Sequence, residues 1–164
     1  MILKSYEIQK NPSNFLKYNV FLLYGENNGL KKDIAESIKR VVNYKNPHIE
    51  FLSFYENEIT DNEENFYNSI YSGSLFSNKR IITVSNATDK IIKQIKDIVD
   101  KYPENVILII FADILEKKSK LRNFFETNIK TLCIPCYLDS EKDLDVIARL
   151  ELKKNNIMLS QEAV

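Results

Sequence analysis

Between residues 19 and 134, short apolar runs alternate with stretches of helical periodicity. Residues 19–24 (NVFLLY) are apolar enough for a strand covered on both faces. Behind them Leu30, Ile34, Ile38, Val41 and Val42 recur at spacings of four, four, three and one, which puts them on one helix face. Asn46-Pro47 breaks that pattern, and residues 49–54 read as a second strand. Residues 56–64 hold five carboxylates and no base, and are expected to form a solvated loop. From residue 62 or 63 to residue 72, Phe66, Tyr67, Ile70 and Tyr71 mark a helix, with Gly73 suited to cap its C-terminus. Residues 80–84 give a third strand. Residues 89–102 carry the cleanest stripe (Ile91, Ile92, Ile95, Ile98, Val99, Tyr102), and Pro103 is expected to stop it. A wholly apolar fourth strand follows at 106–111. Ser119 is placed to cap a helix bearing Leu121, Phe124 and Phe125, and residues 131–134 make a fifth strand.

Apolar strands alternating with amphipathic helices predict the α/β class: a five-stranded parallel sheet with helices on both faces. Residues 1–139 would form this domain. From Ser140 the pattern turns helical, with Asp143 as a capping partner, a break at Asn155-Asn156 and a further cap at Ser160. Residues 140–164 are therefore expected to begin a small helical domain, and the chain to be part of a longer protein.

Composition narrows the function classes. Lys plus Arg and Asp plus Glu both number 23, so no global basic field draws in nucleic acid. Any DNA contact would need a local patch or a partner chain. No apolar run approaches the roughly 20 residues that span a bilayer, and MILKSYEIQKNP lacks signal-peptide character. No membrane association and a cytoplasmic location are the default expectation. Cys133 and Cys136 form a CxxC, but on a strand and its exit, not at the helix start that would stabilise a thiolate. Packing cysteines are the expected reading. His48 is the sole histidine, in a turn, and is expected to be solvated; with two cysteines and one histidine no zinc site is expected. The acids around Asp61, Glu63 and Glu64 match no calcium-loop pattern.

The stretch Tyr24-Gly-Glu-Asn-Asn-Gly-Leu-Lys-Lys-Asp33 occupies the place of a phosphate-binding loop, between a buried strand and a helix. Aligned from Gly25, Lys31 falls on the phosphate-reaching lysine. Leu30 replaces the second glycine, and Lys32 replaces the magnesium-holding hydroxyl. Strand three ends Ser85-Asn86 without a carboxylate, and strand four ends at the isolated Asp113. Gly25, Gly29 and Lys31 thus outline a degenerate loop: Gly25 and Gly29 make the turn, and no cofactor or catalytic residue is expected. The alternative is a divergent nucleotide-binding protein or NTPase, supported by Lys31 alone.

Two other stretches could bind a partner. In Gly73-Ser-Leu-Phe-Ser-Asn-Lys-Arg80, Leu75 and Phe76 are adjacent in a short connection, so burying both in one core is awkward. Either one plugs the core, or the pair is an exposed apolar wedge that anchors a partner's pocket. In residues 115–122, Lys117, Lys118, Lys120 and Arg122 gather at a predicted helix N-terminus, where cations oppose the helix dipole. A solvated face and a site for an anionic partner, nucleic acid or acidic protein, both remain open.

Four blocks in order, FLLYGENNGLKKDI, SGSLFSNKRIITV, VILIIFADILEKKSKLRNFFE and IPCYLDSEKDL, resemble the delta subunit of the bacterial DNA polymerase III clamp loader. The likeness covers nearly the whole chain. It implies an AAA+-like domain without a working ATP site, followed by the start of a lid domain. It also implies a clamp-opening role in which Leu75 and Phe76 enter a hydrophobic pocket on the sliding clamp. The implied partners are the clamp (beta subunit) and the gamma/tau and delta prime subunits, with primed DNA met only inside that complex and ATP hydrolysed by other subunits. Lys117 to Arg122 matches a basic family stretch without a specific contact to carry over.

Overall fold

The structure, a computed structural model, describes residues 17–45, 48–73, 79–138 and 152. Five strands, β1 (Val20–Tyr24), β2 (Ile49–Tyr55), β3 (Lys79–Ser85), β4 (Val106–Ala112) and β5 (Thr131–Pro135), form one sheet in the order β2-β3-β4-β1-β5. Every pairing is parallel. Five helices connect them: α1 (Asn28–Lys45), α2 (Glu56–Asp61), α3 (Glu63–Tyr71), α4 (Ile92–Asp100) and α5 (Lys120–Thr127). The expected α/β sheet with helices on both faces is observed.

The strand period of two divides the core. Phe21 and Leu23 face α1 and pack with Ile34, Ala35, Ile38 and Val42, together with Ile107, Ile109 and Leu132 from neighbouring strands. Val20, Leu22 and Tyr24 point the other way, into a larger cluster holding Ile59 of α2, Phe66 and Ile70 of α3, Ile95 and Ile98 of α4, and Leu121 and Phe125 of α5. β1 is buried along its full length, as a strand covered on both faces must be.

α1 ends at Lys45, directly before Asn46 and Pro47, which lie outside the described residues. His48 is exposed just before β2, as expected.

Three sequence expectations are corrected. The acidic stretch is not a loop: its first six residues form α2. Acids at the first and third helical positions suit the dipole, and the Glu58 carboxylate accepts the Tyr55 N–H at 2.7 Å. Ile59 is wholly buried, and the buried Glu56 accepts both the N–H and the hydroxyl of Thr88 at 2.6 Å. The stripe at 89–102 is shorter than expected. It opens as a 3-10 turn (Asp89–Ile91), and the helix proper ends at Asp100. The residue before Pro103 is biased out of helical geometry, and Tyr102 instead donates its hydroxyl to the Asn19 carbonyl at 3.2 Å. Gly73 does not adopt the left-handed cap of α3: Gly25 has the only positive φ among described glycines. α3 is closed by Ser72 in an extended conformation.

Candidate functional site

The phosphate-loop position is built by three strand ends. The register sets Tyr24 beside Ala112 of β4 and Pro135 of β5, so Gly25 meets Asp113 and Cys136. Gly25 has φ +129, and a Cβ there would lie 2.1 Å from the Cys136 carbonyl oxygen. No side chain fits that approach. Gly29 differs from expectation. It lies inside the first turn of α1, where a Cβ would meet only ordinary contact at 3.5 Å; the turn itself requires Gly25 alone.

A phosphate loop binds anions by leaving its N–H groups free and converging. Here five of them are consumed. Gly25 N–H donates to the Asp113 carbonyl at 3.1 Å, and Asn27 N–H to the Cys136 carbonyl at 3.0 Å. Asn28 N–H donates to the Glu26 carbonyl at 3.0 Å. Leu30 N–H goes to the Asn27 side chain at 2.9 Å, a helix cap, and Lys31 N–H to the Asn27 carbonyl at 3.1 Å. The Lys31 side chain turns back into the fold. It is 4 % exposed, and its ammonium donates to the Ala112 carbonyl at 2.9 Å and lies 3.5 Å from the exposed Asp113 carboxylate. The loop therefore ties β1 to β4 and β5 with its own donors.

Beside it, a cleft of about 390 Å³ runs between α1 and the ends of β3 and β4, lined among others by Lys31, Lys32, Lys39, Glu36, Asn86 and Asp113. Its charges are partly matched internally. Lys39 pairs with Glu36 at 2.8 Å, and that hydrogen bond holds Glu36 below the usual carboxylate range. No group of three or more potential metal ligands occurs among the described residues.

The basic segment leads into α5. Lys117, Lys118 and Lys120 are exposed, with Lys118 paired to Glu116 at 2.9 Å. Arg122 is turned inward, which removes it from the expected patch. It donates to Glu126 at 2.8 Å and to the Leu115 carbonyl at 3.0 Å, and lies 5.2 Å from the centre of the Tyr24 ring. The cations oppose the helix dipole, as noted, but Asp89 supplies the missing anion. Its carboxylate accepts the Ser119 hydroxyl at 2.6 Å and the N–H groups of Lys120 and Leu121 at 2.9 Å. Ser119 caps the Arg122 N–H at 3.2 Å, as expected from sequence. Asp89 is 30 residues distant in the chain, so nothing local to the segment announced it.

Burial raises the Asp89 pKa, but the Leu121 N–H, the Ser119 hydroxyl and the Lys120 N–H outweigh it and hold the carboxyl low. A lowered folded pKa stabilises above the unfolded value of about 3.9 and is lost as pH falls through the folded value. Asp89→Ala is expected to cost about 1–2 kcal/mol at neutral pH. Urea titrations of both proteins should converge as pH falls through the lowered folded pKa of Asp89, below the usual carboxylate range; a constant gap would show that the charge contributes nothing.

Cys133 and Cys136 are free and fully buried. Burial pushes both thiols up to about 12, which suits packing and opposes thiolate chemistry.

Leu75 and Phe76 lie outside the described residues, but the flanking segments are placed. α3 leads in with an Asn62 cap on the Asn65 N–H, and β3 leads out. Arg80, 6 % exposed, spans the two. Its guanidinium donates to Glu50 of β2 at 2.8 Å, to the Ser72 carbonyl at 3.0 Å, and to the Ser69 carbonyl. The Ser69 carbonyl is one of the orphan acceptors in the last turn of α3, and Ser72 is the residue that closes it. Sequence reasoning used Arg80 only as a strand boundary.

The family model for the DNA polymerase III delta subunit matches residues 21–137. The chain is 27% identical over 150 residues to a probable DNA polymerase III subunit delta of Rickettsia prowazekii (strain Madrid E), covering 90% of this chain and 44% of that relative. The chain thus spans less than half the relative's length. The fold is similar to that of the DNA clamp loader delta protein of Bacillus subtilis, with a TM-score of 0.67 at 12% identity, over 96% of this chain and 50% of that one.

Proposed function

The chain belongs to the DNA polymerase III delta subunit family, and we propose that it is a non-catalytic clamp-loader subunit that binds and opens the sliding clamp. The observation that carries this reading is the family match over residues 21–137, which encloses Leu75 and Phe76. In this reading that pair is the apolar wedge. It fits an open or relaxed ring better than a closed one, and so shifts the ring's equilibrium by differential affinity. No covalent step is required of this chain. The clamp, gamma/tau and delta prime are its partners, and ATP turnover belongs to other subunits. Residues 140–164 begin the lid domain, and Lys117, Lys118 and Lys120 remain available to an anionic partner within the complex. Gel filtration with the sliding clamp of the same organism tests the reading: the two should co-elute without ATP at micromolar concentrations, and separate elution rejects it.

The consumed loop donors support the absence of an ATP site. Calorimetric titration with Mg-ATP is expected to give no saturable heat in the micromolar range. Lys31→Ala should act on stability, losing about 1–3 kcal/mol with its buried charged hydrogen bond, and leave clamp binding unchanged. Micromolar nucleotide binding that disappears in Lys31→Ala would instead establish the NTPase alternative.

A further inference from the structure

We propose that Arg80 is a positioning residue for the clamp-binding element: it sets the direction in which the chain leaves α3 toward Leu75 and Phe76. The proposal rests on the wedge reading above and adds a residue with no apolar contact role of its own. Three observations carry it. The guanidinium is almost wholly buried, yet every described partner is polar: the Glu50 carboxylate and two carbonyls at the end of α3. Its backbone is fixed independently. Arg80 N–H donates to the Asn105 carbonyl at 2.9 Å, and Arg80 is in register with Glu50 and Val106 across the sheet. Its carbonyl partners, Ser69 and Ser72, belong to the final turn of α3 and its cap, the last described backbone but one before the Leu75 segment.

One planar cation therefore ties the sheet to the stem through which the segment departs. A cation at this helix end also complements the dipole. The energetic effect on binding is preorganisation: with the stem fixed, less freedom is lost when Leu75 and Phe76 enter a pocket. Lysine retains the charge but not the fork of donors, so it cannot hold two carbonyls and a carboxylate in the same geometry.

The test is a clamp titration of the full-length chain, with the sliding clamp of the same organism as the probe. Wild type, Arg80→Lys, Leu75→Ala and the double variant are compared, with Lys31→Ala as a stability control. Arg80→Lys is expected to stay folded by circular dichroism and to weaken clamp affinity about tenfold. The double variant should be no more than about twofold weaker than Leu75→Ala, because Arg80 acts through that segment. Lys31→Ala, remote from the Arg80 site, should lower the melting midpoint with little change in affinity. Multiplying losses in the double variant, wild-type affinity in Arg80→Lys, or affinity losses that simply track melting midpoints in Arg80→Lys and Lys31→Ala overturn the proposal. If Leu75→Ala itself binds like wild type, the wedge reading has failed. If Leu75→Ala is weak and Arg80→Lys is not, only the role of Arg80 has failed.

Discussion

Replacing Leu75 and Phe76 together by alanine is expected to weaken clamp binding about a thousandfold while leaving the melting midpoint unchanged. Burying a leucine or phenylalanine side chain is worth about 1.5–3 kcal/mol, and apolar anchors in a desolvated pocket exceed 2 kcal/mol each when truncated. Two such anchors give about 4 kcal/mol, or about a thousandfold in affinity. Surface plasmon resonance against the immobilised clamp measures it, with most of the change in the off-rate. The paired thermal measurement decides the meaning. If both residues were core plugs, affinity and midpoint would fall together, by 2–5 kcal/mol per truncated side chain.

Gly25→Ala is expected to remove most of the folding stability. The methyl group would have to occupy a position 2.1 Å from the Cys136 carbonyl oxygen, and the backbone there holds φ +129. Relief requires β5 to retreat from β1, which breaks the hydrogen bonds from Cys136 N–H to Tyr24 and from Asn27 N–H to Cys136. A loss above about 4 kcal/mol, or failure to accumulate as a folded protein, is the expected result of combined steric and backbone strain. Gly29→Ala provides the contrast, with only an ordinary contact at 3.5 Å for its Cβ and a helical position that favours alanine by up to about 1 kcal/mol. Equal stability of Gly25→Ala and wild type in urea would refute the close approach.

Most of the sheet was legible because strands covered on both faces leave continuous apolar runs, as in Val20–Tyr24 and Val106–Ala112. Local rules also found the Ser119 cap, whose partner lies three residues away. What escaped was long-range or ambiguous. Asp89 reaches the start of α5 and Arg80 the end of α3, and neither bond has a sequence period. The acids of α2 look like a solvated loop until Ile59 and Glu56 are seen to be buried. The degenerate phosphate loop was recognised from Leu30 and Lys32, but the way its amides are satisfied depends on β4 and β5 arriving beside it. Leu75 and Phe76 were singled out by adjacency, and their role still rests on the family.

An all-parallel sheet has poles. Gly25 and its bonded partners sit where β1, β4 and β5 end, whereas the stem held by Arg80 sits where β3 begins. The two locations are separated by a strand's length, roughly 20 Å, through the buried core of the sheet. A load taken up at the Arg80 pole is transmitted along a braced beam whose far end is permanently laced by its own amides and does not await a nucleotide to stiffen it. In the clamp-loader reading proposed above, the beam's orientation, and not its internal shape, is what neighbouring subunits would have to control.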